Sequence, residues 1–149
     1  MRAVVQRVSS ARVRVGDRVA GEIGTGLLAL LSVGVDDAEG DALAMAEKLA
    51  TLRIFPDERG LMNRSVGEAA GAVLLVSQFT LHGDVRRGRR PSFVAAAKGP
   101  LARNLYELAG RKLEATGLPV AYGEFGANME LELINSGPVT ILVDTKRSF

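Results

Sequence analysis

The sequence predicts an α+β fold: a single domain over residues 1–149, with a large mixed, barrel-like β-sheet and two main helices. Three observations predict it. Apolar runs of strand length recur along the chain, two segments carry apolar stripes at helical spacing, and no linker, repeat or low-complexity tract interrupts the order.

The N-terminal stretch "MRAVVQRVSSARVRV" ends in clean alternation, Arg12 and Arg14 facing one way and Val13 and Val15 the other, which reads as a strand with a wet face. "GDR" turns it back into "VAGEIG", a predicted hairpin. "GLLALLSVGV" is a continuous apolar run, as in a strand covered on both faces. Asp36 or Asp37 is placed to cap the next helix, with Glu39 completing a capping-box spacing from Asp36. Within "DALAMAEKLATLRIF", Leu43, Ala46, Leu49 and Leu52 form the predicted buried stripe. "PDERGLMNRS" reads as a loop. "GAVLLVSQFTL" gives a second strongly apolar strand, and a short helix is expected around Ser92 to Ala97. The second main helix spans "GPLARNLYELAGRKLEATG", with Pro100 at its start, Gly117 past its end, and Leu101, Leu105, Leu108 and Leu113 as its buried stripe. Three strand-like segments close the chain: "PVAYGEF", "NMELELI" and "VTILVD". Between the last two, Gly137 and Pro138 read as a turn, because neither suits a strand interior.

Composition excludes several chemistries. The chain has no cysteine, which removes disulfides and thiolate metal sites, and one histidine, His82, which removes histidine-rich ones. Neither a metal nor another cofactor is expected. No G-x-G-x-x-G opens a helix and no Walker motif is present. No apolar stretch approaches the roughly 20 residues of a membrane span, and "MRAVVQRV" lacks a signal-peptide core. A cytoplasmic protein without membrane partners is expected. The formal charge is only +2, yet Arg86, Arg87, Arg89 and Arg90 crowd one short segment. Two readings are open for them, a solvated loop or a surface that steers polyanions.

The polar cluster "SQFTLHGD" at the end of a buried strand is the first candidate site. Ser77 or Thr80 as nucleophile with His82 as base is one reading. On an extended strand, however, Thr80 and His82 share a face while Ser77 points away, and no nucleophile elbow is present. Satisfaction of fraying backbone by these hydroxyls is the other.

Seven segments, "MRAVVQRV", "GEIGTGLL", "LRIFPDERGLMN", "VSQFTL", "GDVRRGRRPSF", "FGANM" and "NSGPVT", occur in the order and spacing of the D-aminoacyl-tRNA deacylases, which the chain resembles from Met1 to about Asp144. That resemblance implies a homodimeric hydrolase of the ester joining a D-amino acid to tRNA, with glycine mischarged on alanine tRNA as a further substrate, and no DNA partner. It implies that Ser77, Gln78 and Phe79 line one wall of the pocket and act mainly through their backbone, with Thr80 a lesser candidate nucleophile. It implies that Gly137 and Pro138 reach across from the partner subunit, joined by a cis bond, to refuse L-amino acids. Arg7 looks like the residue orienting that loop, Met129 falls near the pocket, and Arg86, Arg87, Arg89 and Arg90 look like tRNA contacts. Two positions depart from the family pattern: His82, where an aromatic residue is commoner, and Ser136, where an acidic or amide residue is. A non-catalytic RNA-binding module built on the same arginines is the alternative from another class.

Overall fold

A computed structural model describes residues 1–149. Eight strands and two helices follow one another as β1 (Arg2–Val15), β2 (Arg18–Ile23), β3 (Gly26–Ser32), α1 (Glu39–Thr51), β4 (Phe55–Pro56), β5 (Met62–Arg64), β6 (Ala72–Ser77), α2 (Gly99–Ala115), β7 (Val120–Tyr122) and β8 (Glu130–Asp144). The main sheet runs β2-β1-β3-β6-β7, with β8 on the other side of β1. It is mixed: β3, β6 and β7 are mutually parallel, whereas β1 pairs antiparallel with β2, β3 and β8. The predicted α+β class with two main helices and a large mixed, curled sheet is what forms.

The apolar run of β3 is buried on both faces. Leu27, Ala29 and Leu31 pack with the helices, while Leu28 joins Val8, Val13, Leu74 and Val76 on the opposite face. There the sheet curls until β2 approaches β7. A Cβ on Gly21 would lie 2.3 Å from the carbonyl oxygen of Tyr122, so only glycine lets the two strands meet.

Six expectations need correction. Asp37 does not cap α1; its carboxylate takes the Gly34 amide at 2.6 Å and the Met1 ammonium at 2.7 Å. The N-cap is Ala38, whose amide donates back to Asp41 at 3.0 Å. On α1 the buried face is Ala42, Met45, Ala46 and Leu49, leaving Leu43 41% exposed. On α2 it is Ala102, Leu105, Tyr106, Ala109, Gly110 and Leu113, leaving Leu101 exposed. Small residues won these positions because the two helices pack on each other and on the sheet. "PDERGLMNRS" contains the small β4–β5 hairpin. No helix forms at Ser92 to Ala97; Ser92 and Ala96 instead make isolated bridges to Asp84 and Gly34.

The sixth correction concerns Gly137 and Pro138. They do not reverse the chain: β8 runs antiparallel to β1 on both sides of them, from Arg14↔Glu130 to Arg2↔Asp144. Between the pairs Val8↔Asn135 and Gln6↔Thr140, Arg7 stands alone against Ser136, Gly137, Pro138 and Val139. The extra residues are pushed out of the ladder as a wide bulge, which reconciles strand-breaking residues with a continuous strand.

Candidate active site

A cavity of about 540 Å³ opens beyond the C-terminal ends of parallel strands β3 and β6. Parallel strands commonly place ligands there, since their chain ends diverge into loops. Ser77, Gln78, Phe79 and Met129 line it, joined by residues that sequence reasoning missed: Ser32, Phe93, Lys98, Tyr106 and Phe125. Ser32 left a trace as a polar residue closing an apolar strand, and Phe93 and Phe125 lie within the quoted segments "GDVRRGRRPSF" and "FGANM" without having been singled out. The others come from helix and loop positions that converge only on folding.

The strand carrying the site stops at Ser77. Phe79 to His82 form a 3₁₀ turn, in which Leu81 is the first amide to bond back, to Gln78 O at 3.2 Å. The extended-strand geometry expected for Thr80 and His82 therefore does not exist. The turn leaves the Phe79 and Thr80 amides without an acceptor inside it, and Phe79 lines the cavity. Thr80 itself is exposed, off the cavity, and bonded to the Gln78 side-chain amide. Phe79 packs edge-on against Phe93, with ring centroids 5.1 Å apart, across the mouth.

His82 is buried and its Nδ1 meets Ser32 Oγ at 2.6 Å; that hydroxyl also lies 3.4 Å from the Phe79 carbonyl. The one imidazole thus braces the turn from behind and touches neither Ser77 nor Thr80. Burial pushes its pKa down, helped by the Arg2 and N-terminal cations and opposed by Asp37 and Asp144, so it is neutral near pH 7. Tyr106 reaches from α2 to the Leu75 carbonyl at 2.8 Å, and burial raises its pKa far above the ordinary tyrosine value, so it holds β6 as a neutral donor.

The bulge on β8 is clamped from two sides. Arg7 Nε donates to Ser136 O at 3.0 Å and its Nη1 to Ile54 O at 2.5 Å. Asn135, which opens the quoted "NSGPVT" but was given no role from sequence, closes the neck by accepting the Val139 amide at 2.8 Å and donating to the Val139 carbonyl at 3.1 Å. Gly137 has φ +137°, a region open chiefly to glycine, and its bond to Pro138 is cis. Gly137 and Pro138 form the exposed tip and do not line the cavity of their own chain. Arg7 sits opposite Leu27 and Ser77 opposite Leu31. That separates tip and pocket by roughly 13 Å along the strands and about 14 Å across three strand spacings.

Arg86, Arg87, Arg89 and Arg90 occupy an exposed loop between Asp84 and Ser92. Arg86 is held by Asp84, whose carboxyl its side chain and amide lower to about 2; the others project freely. No helix is long and apolar enough to cross a membrane.

Fold and pocket together define an α+β protein whose cavity is walled by backbone turns and aromatic rings, with its single imidazole turned away. The model of the D-Tyr-tRNA(Tyr) deacylase family matches residues 4–144, and the chain belongs to that family. It is 57% identical to a D-aminoacyl-tRNA deacylase of Symbiobacterium thermophilum, over all of this chain and 99% of that one. It is equally identical to one from Koribacter versatilis over the whole of both. Among solved structures it resembles a c-Myc DNA unwinding element binding protein, with TM-score 0.91 and 37% identity over 97% of this chain and 99% of that chain. A probable eukaryotic D-amino acid tRNA deacylase shares the fold at TM-score 0.79 and 18% identity, over 95% and 97% of the two chains.

Proposed function

We propose that this chain hydrolyses D-aminoacyl-tRNA, releasing a free D-amino acid and tRNA, and refuses the L-aminoacyl ester. The observation that carries the reading is the cavity beside the Ser77–Gln78–Phe79 turn, in a chain matched end to end by D-aminoacyl-tRNA deacylases.

An aminoacyl ester is already reactive, so the site has to orient it, admit water and stabilise the oxyanion. Water attacks the carbonyl carbon, the bond to the ribose oxygen breaks, and that oxygen takes the proton. The Phe79 amide, at the cavity, is the donor offered to the developing oxyanion; one such donor is worth about 10²–10³ in rate. Ser77 and Gln78 contribute backbone and orientation. The neighbouring ribose 2′-hydroxyl is the group that assists the water, which suits a pocket from which His82 is turned away. Thr80 keeps no chemical role in this scheme.

Chirality requires a second wall. D- and L-amino acids carry identical groups, so discrimination comes from a clash against one of them. About 10⁴-fold selectivity needs roughly 5.5 kcal/mol, within reach of a hard steric contact. Gly137 permits close approach and Pro138 stiffens the contact. Because the tip lies far from its own pocket, the wall has to come from a second copy of the chain, so the active form is a homodimer. The outer edge of β8 is unpaired and exposes Ile134 and Leu142, which supports such pairing. A wall that refuses side chains by collision cannot refuse glycine, so glycine mischarged on alanine tRNA belongs among the substrates. Arg86, Arg87, Arg89 and Arg90 are assigned to tRNA phosphates, and the cytoplasm is the compartment where this substrate is found.

The test compares release of tyrosine from D-Tyr-tRNA and L-Tyr-tRNA by the purified protein. Fast hydrolysis of the D-ester alone is expected; equal rates, or none on the D-ester, would sink the reading.

A further inference from the structure

Two cations on the helix side of the cavity have no part in the scheme above. Lys98 lines the cavity and forms no ion pair. Five residues on, Arg103 lays its guanidinium over the Phe125 ring, 4.9 Å from the centroid, and Phe125 lines the cavity as well. The nearby carboxylates leave this positive charge in place. Glu107 is 3.8 Å from Arg103 in an exposed i,i+4 pair, which contributes little, and Glu124 is occupied by Arg18.

We infer that Lys98 and Arg103 form a phosphodiester subsite beside Phe125, holding the RNA strand where it leaves the cavity just 5′ of the esterified terminal nucleoside. The inference rests on the deacylase reading. A cavity of about 540 Å³ is the size that one small-molecule ligand fills, so the strand beyond the aminoacyl nucleoside must exit over the rim. On this side the rim offers what a single strand binds: an aromatic face for a base and cations for the backbone. A guanidinium held over a ring by cation–π attraction still has N–H groups to donate, and its fork matches two phosphate oxygens at once. Lys98, which lines the cavity, adds a point charge to the same rim. None of Arg86, Arg87, Arg89 and Arg90 lines the cavity, so this subsite is a separate contact.

The experiment measures kcat/KM for D-Tyr-tRNA and for D-tyrosyl-adenosine, which lacks the 5′ phosphodiester, with the parent and with Lys98→Ala/Arg103→Ala. The tRNA-to-adenosine ratio is expected to fall about tenfold, mainly through KM, the size of losing one charge-assisted phosphate contact. The salt dependence of kcat/KM on tRNA should become shallower by about one unit of slope. Arg103→Lys, which keeps the charge and loses the planar fork, should fall between parent and double variant. An unchanged ratio with an unchanged salt slope overturns the inference. An equal loss on both substrates also overturns it, since the residues would then act on the nucleoside pocket. A parent that hydrolyses neither substrate removes the deacylase reading and this subsite with it, a result distinct from an active parent with indifferent variants.

Discussion

Arg7→Ala is the sharpest probe of how the β8 bulge serves the site. The side chain makes two hydrogen bonds to carbonyl oxygens, Ser136 O at 3.0 Å and Ile54 O at 2.5 Å. Hydrogen bonds from a charged donor contribute about 1.5–3 kcal/mol each, and partial exposure argues for the low end, so about 3 kcal/mol of restraint is lost. At 1.4 kcal/mol per tenfold change, the bulge could leave its working position by up to about 10²-fold. Asn135 still clamps the neck through both polar groups of Val139, so a fall of about 10- to 100-fold in kcat/KM on D-Tyr-tRNA is expected. Arg7→Lys should recover part of it, because one ammonium cannot serve both carbonyls with a fork's geometry. The variant will also melt lower, by roughly 6–10 °C for a chain of this length. Leu113→Ala supplies the control: it removes a fully buried side chain from the end of α2 that does not line the cavity, at a cost of about 2–5 kcal/mol, and it makes none of the bulge's hydrogen bonds. Assayed well below both melting temperatures, Leu113→Ala should stay active while Arg7→Ala does not. If Arg7→Ala stays within threefold of the parent, the bulge's position does not matter to turnover and the reasoning fails.

Four further outcomes follow from single contacts. Thr80→Ala should keep most deacylase activity, whereas a tRNA ending in 2′-deoxyadenosine should be a poor substrate; the reverse pattern in single-turnover assays would restore a threonine nucleophile. Tyr106→Phe should cost only about 0.5–1.5 kcal/mol in urea unfolding, because the Leu75 carbonyl keeps the Gly123 amide at 3.0 Å after the hydroxyl is gone. Gly21→Ala should fail to give stable soluble protein or lose more than about 3 kcal/mol, since its methyl would sit 2.3 Å from Tyr122 O. For His82 the folded pKa lies below the unfolded value of about 6.5, so the unfolded chain binds more protons and stability falls as pH drops from about 6.5 toward the lowered folded pKa. Melting curves from pH 8 to 5 should show that fall in the parent and less of it in His82→Gln; identical curves would remove the argument.

What the sequence made legible follows from which interactions are local. The unbroken apolar run of β3 announced a strand covered on both faces, and Pro100 and Gly117 bracketed α2 through backbone restrictions of their own. The helix faces were less readable. Stripes drawn mainly through leucines pointed to Leu43 and Leu101, but close helix packing selected Ala42, Ala109 and Gly110, and the Tyr122 ring fills the space a side chain at Gly110 would take. The site divides the same way. "SQFTL" stood out as polar residues closing an apolar strand, yet the stop at Ser77 depends on the turn that follows. Lys98, Tyr106 and Phe125 meet Ser77 only through tertiary contacts, and no spacing in the sequence links them.

Gly137 and Pro138 show why a local rule can be right and its conclusion wrong. The residues do break the ladder, but a ladder can be broken outward as well as back on itself. A hairpin turn would take its orientation from a few turn residues. The bulge takes its orientation from strand pairing with β1 on both sides, from Arg7 beneath it and from Asn135 across its neck. Such a projection is held stiffly at both ends, which a wall that discriminates by collision requires, since a soft wall yields to the wrong enantiomer. The same construction accounts for the tip lying on an open sheet edge: only there can a strand both anchor a projection and present it to another copy of the chain. Under the proposed function, selectivity and dimerisation then draw on one strand, and a change that weakens β8 pairing would be felt first as lost discrimination.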